Sequence, residues 1–160
     1  MNDNVKITFV NRTMDTELPK IFLFAKNEIP TFDVLRDSVA WRVIEGASRN
    51  GVCVFTIPTE THVDASWNNG ACCTTVLPAI AGKRYSIKEN AAGIDVYEDS
   101  NAANTKTIDV RSAVRIPNGI NANLYRGNKL LMVQKSVKYD QTASFVVRPK
   151  ICWGLASEVK

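Results

Sequence analysis

The 160-residue sequence predicts an all-β fold, a single antiparallel β-sandwich of jelly-roll-like form spanning residues 1–160. Three observations predict it. Apolar segments are short, and none sustains a helical period. Several of them alternate strictly between apolar and polar residues. Asn, Gly and Pro punctuate the intervals between them. Many short strands parted by turn residues are the signature of a sandwich or barrel.

The strands follow in order. Val5–Asn11 sets Val5, Ile7 and Phe9 on one face and Lys6 and Thr8 on the other. Lys20–Lys26 contains Ile21-Phe22-Leu23-Phe24, apolar on both faces, which fits a central strand or one covered by another subunit. Thr31–Arg36 reads as one helical turn. Ser38–Glu45 groups Trp41 with Val39 and Val43, a core position, and Asn50-Gly51 turns the chain into Val52–Ile57, closed by Pro58. Thr61–Trp67 opposes Val63, Ala65 and Trp67 to His62, Asp64 and Ser66.

Cys73–Leu77 is next, then Arg84–Lys88 with Tyr85 and Ile87 inward, and Ile94–Glu98. The polar run Asp99–Asn104 has the composition of an exposed loop. Lys106–Arg111 turns Ile108 and Val110 inward, and Asn118-Gly119 precedes Ile120–Arg126. Gly127-Asn128 joins that strand to Lys129–Val137 as a hairpin, because both residues tolerate positive φ. Leu130–Val133 is again apolar on both faces. Ala143–Arg148 ends at Pro149, and Ile151–Leu155 is a final segment.

Composition bounds the function. The net charge is +4, but residues 1–80 carry seven Lys/Arg against nine Asp/Glu, and residues 81–160 thirteen against seven. Such asymmetry assists association between copies when the halves stay apart and cancels when their strands interleave. The N-terminus has no apolar signal segment, and no apolar run reaches the roughly 20 residues of a membrane helix. The expectation is a cytoplasmic protein, or one exported without a cleaved signal, with no transmembrane segment. Cys53, Cys72, Cys73 and Cys152 are expected to be buried free thiols. Asn11-Arg12-Thr13 matches a glycosylation sequon, read as chance without an export signal.

No catalytic constellation is legible. His62, Asp64 and Ser66 invite a triad, but alternate residues on one strand face lie roughly 6.5–7 Å apart with parallel side chains. A triad needs successive hydrogen bonds of about 2.6–3.2 Å, so a solvated strand face is expected. The single histidine excludes a multi-His metal centre, and Cys72-Cys73 lacks chelating spacing. Asp95, Glu98, Asp99, Asn101 and Asn104 offer oxygen ligands without an EF-hand pattern. Phosphate-binding glycine loops are absent. No catalytic, cofactor-binding or metal-binding residue is assigned, and no cofactor is expected.

Arg126, Lys129, Lys135, Lys138, Arg148 and Lys150, near Tyr125 and Tyr139, lack any recognisable nucleic-acid signature, so nucleic acid is not an expected partner. Trp67 ends a strand beside Asn68-Asn69-Gly70, and Trp153 precedes Gly154. Indoles at loop rims stack on sugar rings or on a partner. Trp67, Asn68, Asn69 and Trp153 are therefore the candidate contacts for a ligand or partner, with core packing the competing fate of both indoles.

The leading expectation is a non-enzymatic structural or interaction protein that associates with other copies of itself. The alternative is a sandwich that binds carbohydrate or a membrane surface. Paired carboxylates, as in glycoside hydrolysis, leave no local trace, so the sequence is also compatible with an enzyme whose carboxylate site is dispersed.

Overall fold

The structure, a computed structural model, describes residues 4–13, 20–29, 39–146 and 151–156. The expected turn at Thr31–Arg36, and Arg148, Pro149 and Lys150, lie outside the described residues. The fold is all-β, and among the described residues the strands form four sheets rather than one closed jelly roll.

Two larger sheets carry the core. One orders β12 (Lys129–Val137), β11 (Ile120–Arg126) and β5 (Thr61–Trp67), with β6 (Cys72–Cys73) and β7 (Leu77–Ala79) both pairing along the free side of β5. The other orders β13 (Thr142–Val146), β10 (Thr107–Ser112), β8 (Lys83–Asn90) and β9 (Gly93–Asn101). Val63, Ala65, Ala122 and Leu124 from the first meet Tyr85, Ile87, Ile108, Val110 and Phe145 from the second in one buried cluster. Trp41 joins it, 3% exposed, its indole N–H donating to the Arg126 carbonyl at 3.1 Å. The alternation of β5, β8 and β10 supplies this core, because period-two patterning aims one side-chain set inward.

Two smaller sheets flank it. β1 (Val5–Val10) pairs β4 (Val52–Ile57), and β2 (Lys20–Phe24) lies between β14 (Cys152–Ala156) and β3 (Arg42–Ile44). The strands expected to be apolar on both faces are largely covered by this chain. Ile21, Leu23, Leu131 and Met132 are buried, and Phe22 stacks on Phe24.

Four expectations are corrected. β8 and β10 pair in parallel, so the sheets are not antiparallel throughout. β9 runs to Asn101, paired with Lys83, so half of the expected loop Asp99–Asn104 is strand. Cys73–Leu77 is two strands, not one. The Thr74 hydroxyl replaces a backbone acceptor for the Ala65 N–H (3.1 Å), while Thr75 is drawn toward Asp95, which accepts from its N–H (3.0 Å) and its hydroxyl (2.7 Å). The four cysteines are free but not buried: Cys73 is exposed and the others half-buried.

Candidate functional site

The pairing of β5 with β11 organises the polar chemistry. Its register sets His62 opposite Tyr125, Asp64 opposite Asn123 and Ser66 opposite Asn121, all on the face away from Val63 and Ala65. Cross-strand partners lie close enough to bond. The Asn123 amide donates to Asp64 Oδ1 at 2.8 Å and to Ser66 Oγ at 3.2 Å, and the Tyr125 hydroxyl donates to Asp64 Oδ2 at 3.2 Å.

The expected solvated face is therefore corrected at Asp64, which is 5% exposed. Burial raises its carboxyl above the ordinary carboxylate range, partly offset by the bonds from Asn123 and Tyr125. Burial and the neighbouring Asp64 charge push Tyr125 up to about 12. The row assembles no triad. His62 Nε2 faces Glu60 at 3.4 Å instead, so the acid nearest it is not Asp64.

At the end of this strand pair where β5 leaves and β11 enters, two turns and an irregularity in β12 enclose a groove of about 820 Å³. Its floor is apolar: Trp67, Ile94 and Ile116 line it and also pack on the buried core. Its rim is polar: Asn68, Asn69, Asn118, Asn121, Lys135 and Ser136. Among the described residues no carboxylate lines it, and Lys135 is its only charged side chain.

The backbone of this rim is unusual. Asn68 and Asn69 both have φ 54°, followed by Gly70 at 81°. Hydrogen bonds from Gly70 N–H to Trp67 O (3.2 Å) and from Ala71 N–H to Asn68 O (3.0 Å) close two overlapping turns there. Positive φ at both central residues is the primed-turn geometry that suits a hairpin. Across the groove, Gly119 N–H donates to Ile116 O at 2.9 Å, with Pro117 second in the turn and Asn118 third at φ 65°. That is the type II signature, in which Asn or Gly takes the third place.

The third wall is a β-bulge. Ile120 pairs Val137 and Ala122 pairs Gln134, so Asn121 faces both Lys135 and Ser136. Ser136 has φ 58°, a conformation that glycine takes in such bulges. Its N–H reaches Asn121 Oδ1 at 3.4 Å. Of the six described non-glycine residues with positive φ, four, namely Asn68, Asn69, Asn118 and Ser136, line this one groove. Each such residue costs of order 1 kcal/mol, and such strain concentrates at binding and catalytic sites.

The candidate contacts separate. Trp67, Asn68 and Asn69 share the groove, whereas Trp153 stands apart on the outer strand β14, 60% exposed, its ring edge-on to Phe9 at 5.7 Å. Asn118, Asn121, Lys135 and Ser136 were not singled out by the sequence as rim residues. The Asn118-Gly119 turn was a visible signal, but the bulge depends on strand register. A second, smaller cavity of about 470 Å³ lies at the opposite end of the row, lined by His62, Val76, Pro78, Tyr125, Gly127 and Asn128.

Two of the acidic residues in the stretch that offered oxygen ligands are engaged on the sheet instead. Asp99 accepts from Ser86 at 2.7 Å and faces Lys88, and Glu98 faces Lys83. Among the described residues no group of three His, Cys, Asp or Glu side chains stands where a metal could be held. Of the described basic residues, Arg126 is buried and Lys135 lines the groove. Among the described residues no helix is long and apolar enough to cross a membrane.

Comparison of the chain with models of known protein families, with curated proteins and with solved structures finds no match.

Proposed function

We propose that the protein is a non-enzymatic binding protein whose ligand is a saccharide seated in the groove between Trp67 and the asparagine-rich turns. The two larger sheets act as the layers of a sandwich that holds the two turns and the bulge in place. The observation that carries the reading is the gathering of four left-handed residues around an apolar floor. A sugar ring offers an apolar C–H face and a hydroxyl edge. An indole suits the first and amide side chains, which both donate and accept, suit the second.

Among the described residues the groove has no pair of carboxylates for glycosidic cleavage, which favours binding over hydrolysis. A glycan array probed with the whole chain tests the reading. Retention of at least one glycan, weakened by Trp67→Ala and not by Trp153→Ala, is expected. No retained glycan, or retention indifferent to Trp67, overturns it.

Self-association is the second reading, favoured by β14. Residues 151–156 carry no charge, Trp153 and Leu155 are 60% and 48% exposed, and among the described residues β14 has β2 as its single ladder partner. An apolar edge without charged side chains invites strand addition. Analytical ultracentrifugation across micromolar concentrations tests it. A concentration-dependent dimer weakened by Trp153→Lys supports it, and a strict monomer overturns it.

A further inference from the structure

We infer that the groove's ligand carries an anionic group, a uronic carboxylate or a sulfate on the saccharide, and that Lys135 is the residue that selects it. The inference rests on the saccharide reading of the groove and narrows its substrate class.

Three observations support it. Among the described residues Lys135 is the only charged side chain lining the groove, and no carboxylate pairs with it. Lys83 and Lys88, on the other larger sheet and outside the groove, each have an acidic neighbour, Glu98 and Asp99. The bulge sets the position of Lys135. Without the extra residue, β12 would run past Asn121 in regular alternation. With it, Lys135 and the left-handed Ser136 together face Asn121 at the groove wall. Bulges re-aim side chains in this way.

The backbone fixes the bulge from both sides. Ser136 N–H donates to Asn121 Oδ1, and a Cβ on Gly119 would lie 2.7 Å from the Val137 carbonyl oxygen, so only glycine lets the turn approach this closely. An ammonium lining the same groove as amide side chains offers an anion one charge-assisted bond and several neutral ones. A neutral sugar would leave that charge unused.

Matched glycans test this. Neutral oligosaccharides of glucose, galactose, mannose and N-acetylglucosamine are compared with their uronate and sulfate counterparts, by titration against the whole chain, Lys135→Gln and Lys135→Arg. The expected result is that anionic members bind at least about tenfold more tightly than their neutral parents. Lys135→Gln abolishes that preference, Lys135→Arg retains it, and added salt weakens it. Uronates and sulfates ranked against each other identify the source of the charge. Lys135 is exposed, so its substitution leaves folding intact. Neutral members that bind as tightly as anionic ones, or a preference that survives Lys135→Gln, overturn the role of Lys135 while leaving the saccharide reading standing. Failure of every member to bind overturns the saccharide reading itself.

Discussion

Asn123 and the groove asparagines Asn68, Asn69 and Asn118 carry the same amide at two places along one strand pair, with opposite uses. Asn123 is buried, lies in regular strand geometry and bonds Asp64 and Ser66. The other three are exposed, adopt left-handed backbone and line a groove. The first group is spent on the fold. The second takes the left-handed conformations that its turns call for, and under the proposed reading a ligand uses the amides so displayed. Substitutions that hurt stability in the middle of the pair and binding at its end distinguish the two roles.

The largest effect is expected where the two roles meet. Gly119→Ala puts a methyl 2.7 Å from the Val137 carbonyl at φ 77°. A loss of about 2–3 kcal/mol in urea denaturation is expected, with loss of ligand binding, because backbone cannot move aside cheaply. A variant as stable as the parent would show that the turn and bulge do not press on each other.

Asn123→Ala is next. It leaves the buried Asp64 carboxyl and the Ser66 hydroxyl short of a donor, and about 2 kcal/mol of stability is expected to go. Binding at the groove is expected to persist. A variant that folds normally but loses the ligand would place Asn123 in the site and collapse the comparison.

Ser136→Gly inverts the pattern. Glycine accepts φ 58° without strain, so stability is expected to rise by about 0.5 kcal/mol. The preference for anionic glycans is expected to fall, because the looser bulge no longer holds Lys135. A destabilised variant would show that Ser136 is not strained.

How much of this was legible in the sequence follows from which contacts are local. β4, β5, β11 and β12 have the bounds that alternation and the turns at Pro58 and Gly127-Asn128 imply. Trp67, Asn68 and Asn69 stand out because an indole meets a turn within three residues. Lys135, Ser136 and Asn121 do not, because their meeting depends on a bulge 15 residues away in the chain. Asp64 reads as solvent-facing until the register puts Asn123 opposite it. The parallel pairing of β8 with β10 leaves no mark on either strand. Trp67 and Trp153 have similar local contexts, and only the strand each belongs to separates them.

The smallest effect is a pH dependence in the buried row. Burial raises the Asp64 carboxyl above its ordinary value of 3.8, so the folded state binds that proton more tightly than the unfolded chain. A raised group contributes stability below the unfolded value and loses it as pH rises through the folded one. Asp64→Asn cannot ionise, so above that range it is expected to be slightly more stable than the parent. The gap is expected to close as pH falls below 3.8. Asp95 and Asp99 have carboxyls held low by Thr75 and Ser86. They act in the opposite sense, losing stability in acid, but they are common to both proteins and cancel in the difference. Chemical denaturation of both proteins from pH 3 to 7 measures it, and a gap that widens in acid contradicts the assignment.

The most direct test of the groove is an amide and indole NMR titration of the whole chain against the neutral and anionic glycan panel. Shifts at the Trp67 indole N–H and at the side-chain amides of Asn68, Asn69 and Asn118 are predicted, with Trp153 and Asn123 unmoved. Shifts centred on Trp153, or none with any glycan, would contradict a saccharide site in this groove.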